Sequence, residues 1–486
     1  MRCFGVVRSI VAAMLMSAAT SGICAAQGQA EHDLFVTLLP DQAMLEARDR
    51  IRIQNPGNGR IRLFLSPGAR IRTFHVGGRP HPYVFQAGHV SFNTDRSRKQ
   101  AVIDLSLAYT CRFDDPAPRR PLNTDNPGYG VSGTISPRGT FILSGAGWYP
   151  RVIGARENFD LHVSGPADTV AVTSGRMVEI VHEAHRTVSR WRVDNPIDGM
   201  SLSAGPYAIA QKTDEGITAA TYLFPENRLL APRYLDLSLT SLADYSRLFG
   251  SYPYDAFAVV ENFFPTGYGF PGYTLMGGRV LRLPFIPFTS LPHEIVHNWW
   301  GNGVRVDPDS GNWSEGLTTY TADYRLKARQ SPEAAMDYRR QTMRNYAALV
   351  SQTTDFPLSR FHSRTDPATK VIGYDKSAMV FHMLRGKLGD TMFWRALRDL
   401  YGQFRFKRAS WQDLQKVFEA RRGRSLDEFF DQWVYRSGAP RLRLEAVTST
   451  GGQKTGYRVT GQLIQERPLF DVVLELVVQT TTGNTI

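Results

Sequence analysis

Two kinds of hydrophobic pattern divide this chain. From about residue 34 to residue 209, apolar and polar residues alternate in short segments, with Pro-Gly or Gly-Gly turns between them. A period of two is typical of β-strands that bury one face. The clearest segments lie at 50–54, 61–65, 101–105, 159–163 and 169–173. We therefore predict an N-terminal β domain over residues 31–210.

The pattern becomes mixed and then helical in the middle of the chain. Segments 216–224 and 256–262 are predicted strands, and an amphipathic helix is predicted between them at about 232–249. Segments 273–276 and 280–283 are predicted to form an edge strand. After residue 330 the apolar spacing predicts helices near 333–352, 374–388, 390–404, 410–422 and 425–436. The pattern favours one mixed domain over residues 211–440.

Residues 441–486 return to strand patterning, for example at 442–444 and 470–478. Such a short β domain has too few strands for independent stability, so we expect it to pack on the rest of the chain. The predicted fold class is α+β and multidomain.

Composition and charge exclude some classes of protein. The chain has 486 residues, of which 42% are hydrophobic and 21% charged, as in ordinary globular proteins. Its formal charge of +12 comes from scattered arginines rather than from a basic stripe, and no nucleic-acid-binding module is recognisable. We therefore exclude a nucleic-acid partner. The sequence does not indicate an oligomeric state.

Residues 1–26 have the features of a secretory signal peptide. Arg2 and Arg8 are followed by an apolar run from residue 10 to residue 19, and Ala25-Ala26 offers a cleavage site. This predicts an exported protein, periplasmic or secreted. The apolar run is too short to span a bilayer, and no later stretch is long enough, so we expect no membrane span. Cleavage would leave Cys111 as the single cysteine, which we expect to be a buried small hydrophobe.

The stretch from residue 291 to residue 300, Leu-Pro-His-Glu-Ile-Val-His-Asn-Trp-Trp, carries the strongest chemical signal. On a helix, His293 and His297 lie one turn apart and can bind one metal ion. Glu294 lies off that stripe, where a carboxylate can act as general base on a metal-bound water. Ser290 is a candidate N-cap for this helix, and Gly301 is a candidate stop. The pattern predicts a zinc hydrolase.

A catalytic zinc site usually takes three protein ligands. Glu315, in the segment 312–316 (Asn-Trp-Ser-Glu-Gly), is the candidate for the third ligand. An alternative explanation is a capping box between Asn312 and Glu315, which would need no metal. Asp307 and Asp309 are weaker candidate ligands.

These motifs resemble the aminopeptidase N (membrane alanyl aminopeptidase) family of zinc metallopeptidases, which is of the glutamate-zincin type. The resemblance rests on H-E-x-x-H-x-W-x-G-N followed by W-x-E-G, and it implies one zinc ion held by His293, His297 and Glu315. This chain has seventeen residues between the second histidine and the glutamate, one fewer than the family. We place the deletion in the loop 307–311. The resemblance also implies a thermolysin-like catalytic domain.

A second motif, at residues 373–377 (Gly-Tyr-Asp-Lys-Ser), resembles the family's Y-x-K-G, with Ser377 in place of glycine. The resemblance implies that Tyr374 stabilises the oxyanion, whereas without it a tyrosine there is more simply a packed aromatic. Glu294 and Tyr374 are thus the predicted catalytic residues. Three classes of function stay open: an exported aminopeptidase, which we prefer, an exported endopeptidase or other zinc amide hydrolase, and a catalytically silent binding protein.

The family's G-x-M-E-N motif, whose glutamate binds the substrate's α-amino group, is missing. The corresponding stretch at 267–273, Gly-Tyr-Gly-Phe-Pro-Gly-Tyr, has Phe270 where that glutamate would lie. We expect Phe270 and Tyr273 to line a substrate pocket that selects a peptide by shape and aromatic contact. Glu261 could replace the missing carboxylate, but we expect it to face the surface. The prediction is a divergent member with altered N-terminal recognition.

Overall fold

The computed structural model describes residues 28–54, 59–94, 102–118, 130–195, 197, 199–452, 456–474, 478–480 and 483–485. The predicted signal peptide, residues 1–26, lies outside the described residues. Among the described residues, the helices are all too short or too polar to cross a membrane.

The first part of the chain is built from β-strands, as the alternating pattern predicts. Its strands are β1 (Gly28–Leu39), β2 (Met44–Gln54), β3 (Arg60–Phe64), β4 (Arg70–Val76), β5 (Arg79–Pro80), β6 (Val84–Gln86), β7 (His89–Asn93), β8 (Val102–Arg112), β9 (Gly133–Ser136), β10 (Gly139–Ile142), β11 (Arg151–Val152), β12 (Ala155–Pro166), β13 (Val170–Thr173), β14 (Arg176–His182), β15 (Arg186–Val193) and β16 (Leu202–Gly205).

The largest sheet of this part runs in the order β14-β15-β12-β1-β2-β8-β4-β5. Strands β1 and β12 pair in parallel, and the other neighbours are antiparallel. Along β2, buried and exposed residues alternate, with Leu45, Ile51 and Ile53 on the buried face. Two smaller sheets, β13-β16-β10-β9 and β11-β3-β7-β6, complete this part. Cys111 is a free, buried cysteine in its core, as predicted.

A second, mixed sheet carries the chain into the helical part. It comprises β17 (Ala208–Asp214), β18 (Ile217–Leu223), β19 (Ala256–Asn262), β20 (Gly267–Phe270) and β21 (Tyr273–Gly277). The order is β17-β18-β19-β21-β20. Strand β17 crosses the predicted boundary at residue 210. Strand β21 lies inside the sheet, and the edge strand is β20, so the edge-strand prediction for 273–276 was wrong.

The helices are α1 (Ala231–Phe249), α2 (Gly278–Leu281), α3 (Ser290–Val296), α4 (Ser314–Thr318), α5 (Arg325–Gln330), α6 (Pro332–Leu349), α7 (Pro367–Lys370), α8 (Ser377–Leu388), α9 (Asp390–Phe404), α10 (Trp411–Arg422) and α11 (Asp427–Phe430). Short strands β22 (Trp300–Gly301), β23 (Val304–Val306) and β24 (Arg408–Ala409) lie among them. Segment 280–283 was predicted as a strand but begins in α2, because Gly278 starts a helical turn directly after β21.

Three helices continue through π-helical turns, in which the backbone accommodates one extra residue. These turns are Thr319–Tyr324 after α4, Val371–Lys376 before α8 and Asp431–Tyr435 after α11. Such turns are frequent at functional sites. Two of them carry residues of the site described below.

The last part of the chain contains β25 (Leu442–Gly452), β26 (Gly456–Gln465), β27 (Val478–Thr480) and β28 (Gly483–Thr485). Strands β25 and β26 form an antiparallel pair whose residues are mostly exposed. The strand predicted at 470–478 is not continuous, because residues 470–474 have no strand pairing. Phe470 instead packs on Trp433, which ties this part to the helices.

Candidate metal centre and active site

Helix α3 places both histidines of the H-E-x-x-H motif on one side. The ring centroids of His293 and His297 lie 4.9 Å apart, and the rings are nearly perpendicular. The helix begins at Ser290, with Thr289 in the N-cap position and without a side-chain cap, so the predicted Ser290 cap is wrong. His297 is the C-cap residue. The helix is short, and it ends at the second histidine.

The Nδ1 atom of each histidine ring is fixed by a hydrogen bond. Nδ1 of His293 lies 3.1 Å from Oδ2 of Asp323, and Nδ1 of His297 lies 3.0 Å from the carbonyl oxygen of Trp300. With Nδ1 donating, Nε2 of each neutral ring keeps its lone pair for a metal. Both Nε2 atoms point toward Glu315.

Glu315 approaches the histidines from α4. Its Oε2 lies 3.8 Å from Nε2 of His293 and 3.3 Å from Nε2 of His297. The capping-box alternative does not describe this geometry, because the side chain of Asn312 accepts bonds from the backbone N and Oγ of Ser314, while Glu315 points to the histidines. The side chain of Asp307 accepts from Asp309 N, and neither aspartate joins the cluster.

The residues of this cluster fit a zinc ion. One ligand atom from each of His293, His297 and Glu315 lies within 4.8 Å of the other two, among the residues that the structure describes. Oε2 of Glu315 is buried and has no hydrogen-bond partner, so an oxygen is aimed at the space between two imidazole lone pairs. Two imidazoles and one carboxylate are a usual ligand set for catalytic zinc.

Electrostatics keep the third ligand ionised. Burial opposes ionisation of Glu315, but His297 and His293 outweigh it and hold the pKa of Glu315 far below its usual range. Burial lowers the pKa of His293, yet Asp323 and Glu315 raise it well above its usual value overall, so a metal ion that binds Nε2 must displace a proton from the ring. Burial raises the pKa of Glu294, with His293 and His297 acting in the opposite direction. A carboxyl group with a raised pKa is suited to accept and return a proton.

Tyr374 lies in the π-helical turn Val371–Lys376, beside the cluster. Its ring is nearly parallel to that of His293, with centroids 6.4 Å apart, and perpendicular to that of Phe361 at 6.1 Å. Burial and the nearby Glu315 carboxylate raise the pKa of Tyr374 far above its usual value. The hydroxyl therefore stays protonated and can donate a hydrogen bond.

Strand β20 passes directly over Glu294. A Cβ atom on Gly269 would lie 2.6 Å from Oε2 of Glu294, so a residue without a side chain is needed there. Because side chains alternate along a strand, Phe270 points to the opposite face. It stacks on Tyr268 and contacts Tyr273, with ring centroids at 5.5 and 4.8 Å. The ring of Phe270 is thus turned away from Glu294.

The other predicted recognition residues are buried. Tyr273 is 1% exposed and belongs to the core shared with the β domain, so its position does not support the predicted substrate contact. Glu261 is 2% exposed, and the prediction that it faces the surface was wrong. Its two carboxylate oxygens accept bonds from the backbone N of Phe224 and from Nδ2 of Asn227. These bonds hold the side chain in place, so it is not free to turn toward the amino group of a substrate.

Asp323 is a residue of the site that the sequence did not reveal. It lies eight residues after Glu315, and in a regular α-helix the two side chains would differ by about 80° around the axis. The π-helical turn Thr319–Tyr324 absorbs one residue, which returns Asp323 to the face of Glu315 and brings it to His293. Only a prediction of that extra residue would have found it.

The three converging ligands are a usual set for catalytic zinc, and the segment that carries them is similar to known proteins. Residues 289–433 match the family model described as Peptidase family M1 domain. In the solved structures, an M1 zinc metallopeptidase from Deinococcus radiodurans is similar, with a TM-score of 0.66 and 19% identity over 85% of this chain and 95% of that one. A mutant of that enzyme bound to a Tyr-Ser-Ala substrate aligns with a TM-score of 0.65 and 19% identity, over 86% of this chain and 96% of that one.

Curated relatives are aminopeptidases. Aminopeptidase 2, mitochondrial, of Saccharomyces cerevisiae is 25% identical over 263 residues, which are 50% of this chain and 27% of the relative. The alanine/arginine aminopeptidase of the same yeast is 24% identical over 208 residues, 40% of this chain and 24% of the relative. The alignments thus span about a quarter of these relatives. Together the matches show that residues 289–433 are similar to the peptidase family M1 domain.

Proposed function

We propose that this chain is an exported zinc-dependent peptidase of the aminopeptidase N type, with altered recognition of the substrate's N-terminus. The observation that carries the proposal is the convergence of His293, His297 and Glu315 beside Glu294. The names of the curated relatives and the Tyr-Ser-Ala substrate of the Deinococcus radiodurans mutant support a peptide substrate.

The chain's own residues supply binding and proton transfer. A zinc ion bound by the three ligands would polarise the scissile carbonyl and acidify the attacking water. Glu294 then takes the proton of that water on its carboxylate and returns it to the nitrogen of the leaving amine. Its burial supports this role, since a raised pKa brings the carboxyl group closer to working pH.

Tyr374 is proposed to stabilise the negative charge that develops on the carbonyl oxygen. Its hydroxyl remains protonated because burial and Glu315 oppose its ionisation. Its ring is held between His293 and Phe361, so the donor is positioned before the substrate arrives.

Strand β20 is proposed to hold the peptide backbone. It is the edge of its sheet, and within the described residues its outer side has no paired strand. An extended peptide can pair with such an edge through backbone hydrogen bonds. The close approach of Gly269 to Glu294 would bring a bond of that peptide next to the general base.

Altered N-terminal recognition is proposed because neither candidate position supplies a carboxylate. Phe270 is apolar and faces away from Glu294, and Glu261 is engaged on both oxygens. The same observation favours an endopeptidase or other amide hydrolase as the second candidate, because such an enzyme needs no amine anchor. A catalytically silent binding protein is the third class, and it predicts zinc without turnover.

Metal analysis and peptide turnover test the proposal together. The purified chain should carry about one zinc ion, and Glu315→Ala should weaken its retention because three protein ligands are needed. Asp309→Ala is the matched control, since Asp309 is an exposed carboxylate of the neighbouring loop. Zinc retained by Glu315→Ala but lost by Asp309→Ala would overturn the ligand assignment.

Acetylation of the substrate's N-terminus separates the first two classes. We expect weak turnover of simple aminoacyl chromogenic substrates, and only a small change when a good peptide substrate is acetylated. A collapse of activity on acetylation would show that the enzyme has an amine anchor and would contradict altered recognition. Glu261→Ala would then be the next variant to measure.

Export is proposed from the N-terminal segment alone, which lies outside the described residues. The basic residues, apolar run and Ala25-Ala26 pair of residues 1–26 support a cleaved signal. Expression of the whole chain in a bacterial host, followed by N-terminal sequencing of the periplasmic and secreted fractions, tests it. An uncleaved, cytoplasmic product would contradict it.

A further inference from the structure

Arg364 is a half-buried cation at the edge of the candidate active site. It lies in the loop between the turn Leu358–Arg360 and α7, and its Cζ is 5.7 Å from the ring centroid of Tyr374. Among the described residues, its guanidinium group has neither an ion pair nor a hydrogen bond.

The loop that carries Arg364 is fixed to the metal centre. Phe361 is buried against Tyr374, and its carbonyl oxygen accepts a bond of 2.6 Å from the backbone N of Asn312. The side chain of Asn312 also donates to the carbonyl of His362 and accepts from Ser314, the neighbour of Glu315. After Arg364, Asp366 caps α7 in a capping box with Thr369. The backbone on both sides of Arg364 is therefore fixed by hydrogen bonds.

Strand β20 borders the same candidate metal centre as Arg364. Burial raises the pKa of Tyr268, and the positive charge of Arg364 acts in the opposite direction. Tyr268 precedes Gly269, the residue that approaches Glu294. A peptide paired with β20 at Gly269 would therefore lie at the metal centre that Arg364 borders through Tyr374.

Two other partly buried arginines, Arg325 and Arg385, are matched by internal carboxylates. Arg325 forms two hydrogen bonds to Asp244, and Arg385 forms two to Asp390. The side chains of Arg325 and Arg385 are 16% and 26% exposed. A partly desolvated guanidinium group gains most from a carboxylate that binds both of its N–H edges. Arg364 has no such group within the described residues, so its guanidinium group is available to a carboxylate from outside the chain.

We propose that Arg364 binds a carboxylate of the peptide substrate, and that the enzyme prefers short peptides whose free C-terminal carboxylate lies a few residues from the scissile bond. This inference rests on the proposed peptidase function. The guanidinium group of Arg364, rather than an amine anchor at Phe270, then positions the substrate. An acidic side chain near the scissile bond offers the same chemistry, and the experiment separates the two sources.

Matched substrates test the proposal on the zinc-loaded full chain. The set is one neutral tripeptide as its free acid, the same tripeptide as its C-terminal amide, and an amide with glutamate at the last position. Wild type should favour the free acid over the neutral amide by about 10- to 100-fold in kcat/KM, mainly through KM, as expected for one charge-assisted pair. Arg364→Gln should bring that ratio close to one, and Arg364→Lys should restore part of it. Arg360→Gln, an exposed arginine four residues earlier, is the control and should keep the wild-type ratio.

Three results of this experiment decide whether Arg364 binds a carboxylate of the substrate. An acid-to-amide ratio that Arg364→Gln leaves unchanged would overturn the proposal. An equal fall of kcat for all three substrates would also overturn it, because it would mean that Arg364 acts through Tyr374. A preference for the glutamate amide that disappears in Arg364→Gln would support the carboxylate site and assign an acidic side chain as its source.

A binding measurement keeps this inference separate from the peptidase proposal. Calorimetry with the Glu294→Gln variant requires no turnover, and the free acid should bind at least about 10-fold more tightly than the amide. Adding Arg364→Gln should remove that difference. If wild type cleaves no peptide but the binding preference is present, the peptidase proposal fails and the carboxylate site stands. Equal binding of acid and amide would overturn the site.

Discussion

Two clusters of histidine and carboxylate can be compared among the described residues, a buried one in the β domain and a half-buried one at the candidate metal centre. In the β domain, His32 lies between Asp49, whose Oδ2 is 2.8 Å from Nδ1, and Glu157, whose Oε1 is 3.4 Å from Nε2. In the catalytic part, His293 and His297 share Glu315. The residue types are the same, but the directions of their lone pairs differ.

In the β-domain cluster, two carboxylates lie at opposite edges of one ring. Nδ1 of His32 is hydrogen-bonded to Asp49, Glu157 lies at the Nε2 edge, and the ring stacks on Phe159 at 4.6 Å, so the ligand atoms do not meet at a point. In the catalytic cluster, Nδ1 of each ring is engaged elsewhere, which leaves the two Nε2 atoms free to converge with Oε2 of Glu315. Convergence of free lone pairs, rather than composition, distinguishes the candidate metal site.

The largest effect that we expect from this difference is on turnover. Glu294→Gln should lower kcat by about 10²- to 10⁴-fold, because the amide cannot accept the proton of the attacking water. Zinc content and the thermal unfolding midpoint should stay close to those of wild type. Steady-state kinetics, metal analysis and thermal unfolding measure the three quantities.

The matched variant in the β domain is Glu157→Gln. It should lower the stability of the fold, since Glu157 also accepts a bond from the backbone N of Val152, and it should leave kcat per folded molecule unchanged. A loss of kcat in Glu157→Gln as large as that in Glu294→Gln would contradict the assignment of catalysis to the cluster of His293, and not to that of His32.

Tyr374→Phe should have the next largest effect. Loss of one preorganised donor to a developing oxyanion lowers kcat by about 10²- to 10³-fold. Zinc content should not change, because the Tyr374 hydroxyl is not among the three ligands. An unchanged kcat would mean that Tyr374 only packs beside His293 and Phe361 and does not stabilise the oxyanion.

The local spacing of residues predicted that His293 and His297 face the same way, and the family resemblance pointed to Glu315, which lies in α4 and approaches both rings. The strand and helix patterns likewise predicted β19 and α1 to within one residue. The order of strands was not predictable. Glu261 was expected at the surface, but β19 lies between β18 and β21, where both faces of a parallel sheet are covered.

Contacts that depend on backbone irregularity or on distant loops were also missed. The hydrogen bond between Asp323 and His293 requires a π-helical turn, and no residue pattern in the sequence predicted that turn. Arg364 reaches the site through a loop held by Asn312, fifty residues away from His362 in sequence. The sequence predicted Phe270 in a substrate pocket but not the direction of its ring, which follows from the close approach of Gly269 to Glu294.

Asp323→Asn should have a smaller effect, on zinc affinity. The carboxylate orients His293 and increases its basicity, and loss of such a partner typically weakens metal binding by about 10- to 100-fold. Competition with a chromogenic chelator measures the change. Asp309→Asn is the control. Equal affinities for Asp323→Asn and wild type would mean that the Asp323 bond does not orient the ligand.

The smallest effect concerns His32, and it depends on pH. Burial lowers the pKa of His32, but Asp49 and Glu157 outweigh it and raise the pKa from 6.5 to about 9. A raised histidine pKa contributes stability that is fully present below pH 6.5 and is lost as pH rises through about 9. His32→Gln should therefore lower the free energy of unfolding by about 1–3 kcal/mol at pH 6, with little difference from wild type near pH 10. Urea unfolding of both chains at each pH measures the difference, and zinc content should be equal because the catalytic cluster is untouched. If the difference in free energy of unfolding between the two chains stays constant from pH 6 to pH 10, His32 is neutral in the folded protein and this prediction is wrong.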